Sequence, residues 1–159
     1  MKSIVVYASR SGNTRHVAEA IAGILGTRGT VDLVAAEDAP AAFAQETDLI
    51  VVGGPTEGHR MTPAIASFLD HLAPGEVSGK AAAAFDTRLG WPRVLSGSAA
   101  QGIAHRLRAM GATLVLPEES FIVTREPLLE EGELARAEAW AGRLADAVEA
   151  PVATAVAAT

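Results

Sequence analysis

Apolar residues fall into two alternating rhythms along this chain. Unbroken runs such as Ile4-Val5-Val6-Tyr7 and Leu49-Ile50-Val51-Val52 are separated by stretches in which apolar positions recur every three or four residues. The unbroken runs suit strands covered on both faces, and the three-to-four spacing suits helices with one buried stripe. Strands are predicted at Ser3 to Ala8, Thr30 to Ala35, Asp48 to Gly53, Lys80 to Asp86 and Thr113 to Leu116, the last resuming at Ser120 to Val123 after the break at Pro117. The first helix spans Thr14 to Arg28 with Val17, Ala18, Ile21, Ala22 and Leu25 on one side, and a short helix begins near Pro40. Thr62 and Pro63 supply an N-cap and a first-turn proline for a helix lined by Ile65, Phe68, Leu69 and Leu72. Ser98 caps a fourth helix carrying Ile103, Ala104, Leu107 and Met110, and a last one runs from Glu131 to Glu149 with Leu134, Ala137, Ala141, Leu144 and Val148 as its stripe. Strands alternating with helices in this way predict an α/β fold, a doubly wound parallel sheet with helices on both faces.

The chain is 159 residues long, which suits one domain over residues 1–150, with residues 151–159 expected to form a flexible tail. No apolar run nears the roughly 20 residues that span a bilayer, so no membrane partner is expected. The opening MKSIVVYASRSG lacks a signal-peptide cleavage pattern, and a cytoplasmic location is the expectation. Cysteine is absent, so any redox role needs a bound cofactor in place of dithiol or iron–sulfur chemistry. A net charge of −6 opposes the footprint of a nucleic-acid binder. His16, His59, His71 and His105 show no metal-ligand pairing on a shared helix, so no metal site is expected.

Three polar or glycine-bearing loops follow strands one, three and four, at the carboxyl edge where such sheets bind ligands. The first, Ser9-Arg10-Ser11-Gly12-Asn13-Thr14, offers three hydroxyls, an amide and a glycine immediately before a helix. Unpaired N–H groups and the positive dipole end at that helix start make it a phosphate cradle. An ordinary N-cap turn is the plainer alternative, though one Ser or Asn would meet that need. Neither a GxGxxG fingerprint nor a P-loop is present, since Gly79-Lys80 has the wrong spacing and is followed by Ala81.

The SRSGNT loop resembles the T/S-x-T/S-G-x-T pattern of the flavodoxin family, and the resemblance covers about residues 3–149. It implies a five-stranded sheet in the order 2-1-3-4-5 and FMN as cofactor, its phosphate held by Ser9, Arg10, Ser11, Gly12, Asn13 and Thr14. The second loop, Gly53 to Pro63, is similar to the family's first isoalloxazine loop. That likeness implies contacts from Pro55, Thr56, Glu57, Gly58 and His59, with Gly58 at the position whose peptide flips when flavin N5 is protonated. Glu57 stands where many relatives have Trp, leaving Glu57, His59 or Met61 to cover the inner ring face. The third loop, Phe85 to Arg93, resembles the second isoalloxazine loop without its acidic and tyrosine signature; Asp86, Thr87 and Arg88 are expected at the pyrimidine edge. Trp91 is expected either to stack on the outer face or to pack beside Pro92.

The resemblance implies electron transfer with no catalytic residue of the acid/base kind, through redox partner proteins serving as reductase and acceptor. Arg10, Arg15, Arg60, Arg88 and Arg93 map to the three loops, where relatives carry acids. They favour an acidic partner and easier uptake of the second electron, unless they pair with Glu57, Asp86 and Glu119. Two rival functions stay open: an FMN-dependent NAD(P)H:quinone or nitro-compound reductase, and a non-redox binding module that has lost FMN.

Overall fold

The computed structural model describes residues 1–151. Six strands form one parallel sheet: β1 (Lys2–Tyr7), β2 (Thr30–Ala35), β3 (Leu49–Pro55), β4 (Ala81–Leu89), β5 (Thr113–Leu114) and β6 (Glu119–Val123). The order is β2-β1-β3-β4-β5, and β6 also pairs with β4, so β5 and β6 are two pieces of one interrupted edge strand. The fold is thus the expected 2-1-3-4-5 arrangement. The expected flexible tail lies, from residue 152 onward, outside the described residues.

Strand periodicity sorts the core into two layers. Ile4, Val6, Ile50, Val52, Ala82 and Ala84 face α2 (Pro63–Asp70) and α4 (Ala99–Ala109), meeting Ile65, Leu69, Ile103 and Leu107. Val5, Leu49, Val51, Ala83 and Phe85 face α1 (Asn13–Gly26) and α5 (Glu133–Glu149). In that second layer Phe85, Phe121 and Trp140 meet edge to face, with ring centroids 6.1–6.3 Å apart. Such pairs add about 0.5–1.5 kcal/mol each beyond area burial. Gly53 makes room for this cluster, because a Cβ there would sit 2.2 Å from the Phe85 ring.

Two local expectations are corrected. The helix expected from Pro40 is replaced by a 3-10 turn over Ala36–Asp38 and an irregular segment after it. That segment is pinned by tertiary contacts: Phe43 stacks on Phe68, its N–H donates to Glu76 Oε1, and Lys80 Nζ donates to Gln45 O. Second, β4 continues past Asp86 to Leu89, and a single helical turn, α3 (Arg93–Ser96), follows it in what read as plain loop.

Candidate functional site

The carboxyl ends of β1, β3 and β4 bring the three expected loops together. β1 enters the first loop at Ala8, whose N–H donates to Gly53 O at 3.1 Å, keeping this edge in register with β3. The turn then pivots on Ser9: its Oγ accepts the N–H of Gly12 at 3.1 Å and of Arg15 at 3.3 Å. Gly12 has φ 93°, a left-handed geometry that suits glycine, and precedes the first residue of α1. The N–H groups of Ser11, Asn13 and Thr14 have no acceptor among the described residues, and no acid occupies the helix's first turn.

The side chains of this loop divide into two sets. Ser9, Arg10 and Ser11 are exposed, and Arg10 pairs with Glu57 of the second loop at 3.3 Å. Asn13 and Thr14 are buried and act as ties. Asn13 Nδ2 donates to Pro127 O at 2.7 Å and to Ser11 Oγ at 3.2 Å, while Thr14 Oγ1 lies 2.7 Å from Thr87 Oγ1 on β4. Loop one is therefore held from both sides before any ligand arrives.

The second loop is a tight hairpin. Glu57 and Arg60 exchange backbone hydrogen bonds at 2.9 and 3.0 Å around Gly58 (φ 52°) and His59 (φ 69°). Two positive φ angles in succession define a type I′ turn, so His59 holds a conformation rare for a residue with a Cβ. Gly97 braces this hairpin from below α3, since a Cβ on it would meet His59 O at 2.3 Å. Met61, also expected to cover a ring face, is partly buried against the α2/α4 core layer and approaches Gly102.

The third loop begins only after Leu89, where β4 ends. Asp86 and Thr87 belong to β4 and are buried, so neither presents a side chain to solvent at the sheet edge. Asp86 Oδ2 accepts from Ser98 Oγ (2.7 Å), Ala100 N (3.0 Å) and Thr56 Oγ1 (3.1 Å). Among the described residues no arginine pairs with Asp86. Arg88 is a brace: its Nη1 donates to Trp91 O at 2.7 Å, Leu89 O at 3.1 Å and Ser96 Oγ at 3.2 Å. Trp91 is 47% exposed, with the Arg125 guanidinium 5.8 Å from its ring centre.

Between loops two and three lies a cleft of about 190 Å³, lined by Thr56, Gly58, His59, Arg88, Leu89, Trp91, Leu95 and Ser96. Leu95, Ser96 and the clasping Gly97 went unnoticed in the sequence; the signal was the Pro92 that starts their helical turn. Larger hollows elsewhere, such as one of about 470 Å³ beside Phe43 and Phe68, lie away from these loops. A helix N-terminus with free N–H groups and, at the same sheet edge, a cleft lined by an indole, two leucines and polar side chains suit a ligand with an anionic end and a flat body. No cluster of His, Asp and Glu fit for a metal occurs among the described residues, and none of their helices is long and apolar enough to cross a membrane.

A flavodoxin-domain family model matches residues 4–89. A flavodoxin of Aquifex aeolicus is 34% identical over 95 residues, 57% of this chain and 51% of that protein, so the match spans about half the relative's length. A flavodoxin from the domain Archaea superposes with a TM-score of 0.76 at 29% identity, covering 94% of this chain and all of that one. Flavodoxin 2 of Bacillus cereus gives 0.77 at 26% identity, over 92% and 99% of the two chains.

Proposed function

The chain belongs to the flavodoxin family, and on that footing we propose that it binds FMN at the three loops and exchanges electrons with a partner protein. The observation that carries the reading is the polar turn, where Ser11, Asn13 and Thr14 leave backbone N–H groups unclaimed at the start of a 14-residue helix. These donors, with the exposed Ser9 and Ser11 hydroxyls, suit a phosphate dianion, and no acid occupies the first turn of α1. At the ring end, Gly58, His59 and Trp91 flank the cleft, while Arg88 and Gly97 hold its walls in place. FMN, when bound, supplies one- and two-electron chemistry.

The face around the cleft supports a protein partner with an apolar centre and acidic rim. Trp91, Val94 and Leu95 are 47%, 89% and 60% exposed, an unusual grouping of large apolar side chains on one turn. Arg125 lies 5.8 Å from the Trp91 ring and Arg60 closes the hairpin that carries Gly58 and His59; neither has an ion-pair partner among the described residues.

Titrating the protein with FMN tests the cofactor reading. One equivalent is expected to bind with quenched fluorescence and a structured absorption band. Ser11→Asp, which brings a carboxylate to the cradle, is expected to weaken binding at least about tenfold. No uptake by the unsubstituted protein, or equal uptake by the folded variant, would remove the reading.

A further inference from the structure

Among the residues that line the cleft there is no acid, and the only permanent charge is that of Arg88. A guanidinium stays charged at every working pH. Arg88 joins no ion pair among the described residues. Asp86, two positions back on the same strand face, commits Oδ2 to Ser98, Ala100 and Thr56, and Glu57 on the adjoining hairpin pairs with Arg10. The positive charge at the cleft wall is therefore not answered by a neighbouring carboxylate.

The way Arg88 is held also leaves donor capacity unspent. Nη1 alone makes its three bonds, to the carbonyls of Trp91 and Leu89 and the hydroxyl of Ser96. Nε is buried without an acceptor, and Nη2 has none among the described residues. A neutral amide could brace those oxygens. A half-buried cation in the same place gives up hydration for neutral acceptors only, and one of its N–H groups stays unsatisfied. That cost is offset when negative charge enters the cleft.

We infer that Arg88 is a specificity-determining residue of the cleft: a fixed cation through which the ring end holds reduced FMN at least as tightly as oxidised FMN. The inference rests on the FMN reading. FMN that gains two electrons, from the partner protein or from dithionite, and one proton from water carries one more negative charge than before. Arg88 favours that added charge, and no acid on the cleft wall opposes it. A unit charge about 10 Å from another, at an effective dielectric of about 20, is worth roughly a tenfold change in an equilibrium constant.

The test measures, in one buffer, the two-electron potentials of free FMN and of the FMN-loaded protein, with the affinity for oxidised FMN alongside. In the unsubstituted protein the bound potential is expected to equal or exceed the free one. Arg88→Gln removes the charge and keeps an N–H donor; relative to oxidised FMN it is expected to bind reduced FMN about tenfold less tightly, a fall of about 30 mV for a two-electron couple. Arg88→Lys, which keeps the charge, is expected to restore the potential. An Arg88 that only braces the wall predicts equal losses of affinity for both forms and a potential unmoved by Arg88→Gln, which would overturn the inference. An equal fall in Arg88→Lys assigns the effect to lost packing and overturns it too. So does a bound potential below that of free FMN in the unsubstituted protein, a measurement that needs no variant to fold. Failure of that protein to take up FMN at all removes the cofactor reading and this inference together.

Discussion

A single buried contact shows how side chains that read as ligand groups are spent on structure. Thr14 and Thr87 are 2% and 4% exposed, and their hydroxyls lie 2.7 Å apart between α1 and β4. Removing one leaves the other buried without a partner, which costs about 1–3 kcal/mol, whereas removing both leaves a well-matched apolar contact. Thr14→Val and Thr87→Val are each expected to lower unfolding free energy by about 1–2 kcal/mol, and the double variant by clearly less than their sum. A urea double-mutant cycle reads the coupling, and strict additivity would show that the contact carries no energy. The same contact marks the limit of what the sequence conveys about the site. Ser9, Ser11 and Gly12 were legible as a polar turn leading into a helix because their types and their order already state that geometry. Which hydroxyls turn inward depends on strand register, since Asp86 and Thr87 look like loop polars until β4 is seen to continue beside β6, where Asp86 pairs with Ser120 and Thr87 with Phe121.

At the scale of elements, α5 is fastened to the interrupted edge strand by charge. Glu133 Oε2 accepts the Ile122 N–H at 2.6 Å and binds Arg136 at 2.7 Å, and Arg136 also reaches Glu119 and the Ser120 carbonyl. Burial raises the Glu133 pKa, but the Arg136 guanidinium and the Ile122 N–H outweigh it and hold the carboxyl below its ordinary value. A lowered folded-state pKa contributes stability above the unfolded value, near 4.3, that is lost as pH falls through the folded one. Glu133→Gln is therefore expected to cost about 1–2 kcal/mol at pH 7 and progressively less below about pH 4. Thermal melts across pH check it, and a deficit independent of pH would assign the loss to packing. Element identity was readable wherever pattern and neighbours agree, as at α1, whose Val17, Ile21 and Leu25 are all buried. It failed where tertiary contacts overrule propensity: the alanine-rich stretch after Pro40 favours helix, yet Phe43 is drawn onto Phe68. At the α5 stripe Ala137, Ala141 and Leu144 are buried as expected, whereas Leu134 is 43% exposed.

For the whole molecule, the distribution of charge matters more than its sum. The chain carries −6, yet between Thr87 and Pro117 it has four arginines and no aspartate or glutamate. Arg106 faces Asp70 and Arg108 approaches Glu118 at 3.9 Å, so part of this excess is answered locally. Arg88 lines the cleft, Arg125 lies over Trp91 and Arg60 closes the adjoining hairpin, whose one acid, Glu57, is engaged by Arg10. Electron exchange is decided within a few ångströms of the cofactor edge, and a Debye length of about 8 Å at physiological salt hides the distant acids. The rate at which the reduced, FMN-loaded protein is oxidised should thus follow the local sign. Ferricyanide, a trianion, is expected to react faster at low salt and to slow severalfold as ionic strength rises; hexaammineruthenium(III), a trication, should show the opposite slope. Combining Arg60→Ser with Arg125→Ser should flatten the ferricyanide dependence. If ferricyanide instead accelerates with salt, the net −6 governs approach, and a partner with an acidic rim is the wrong complement for this face.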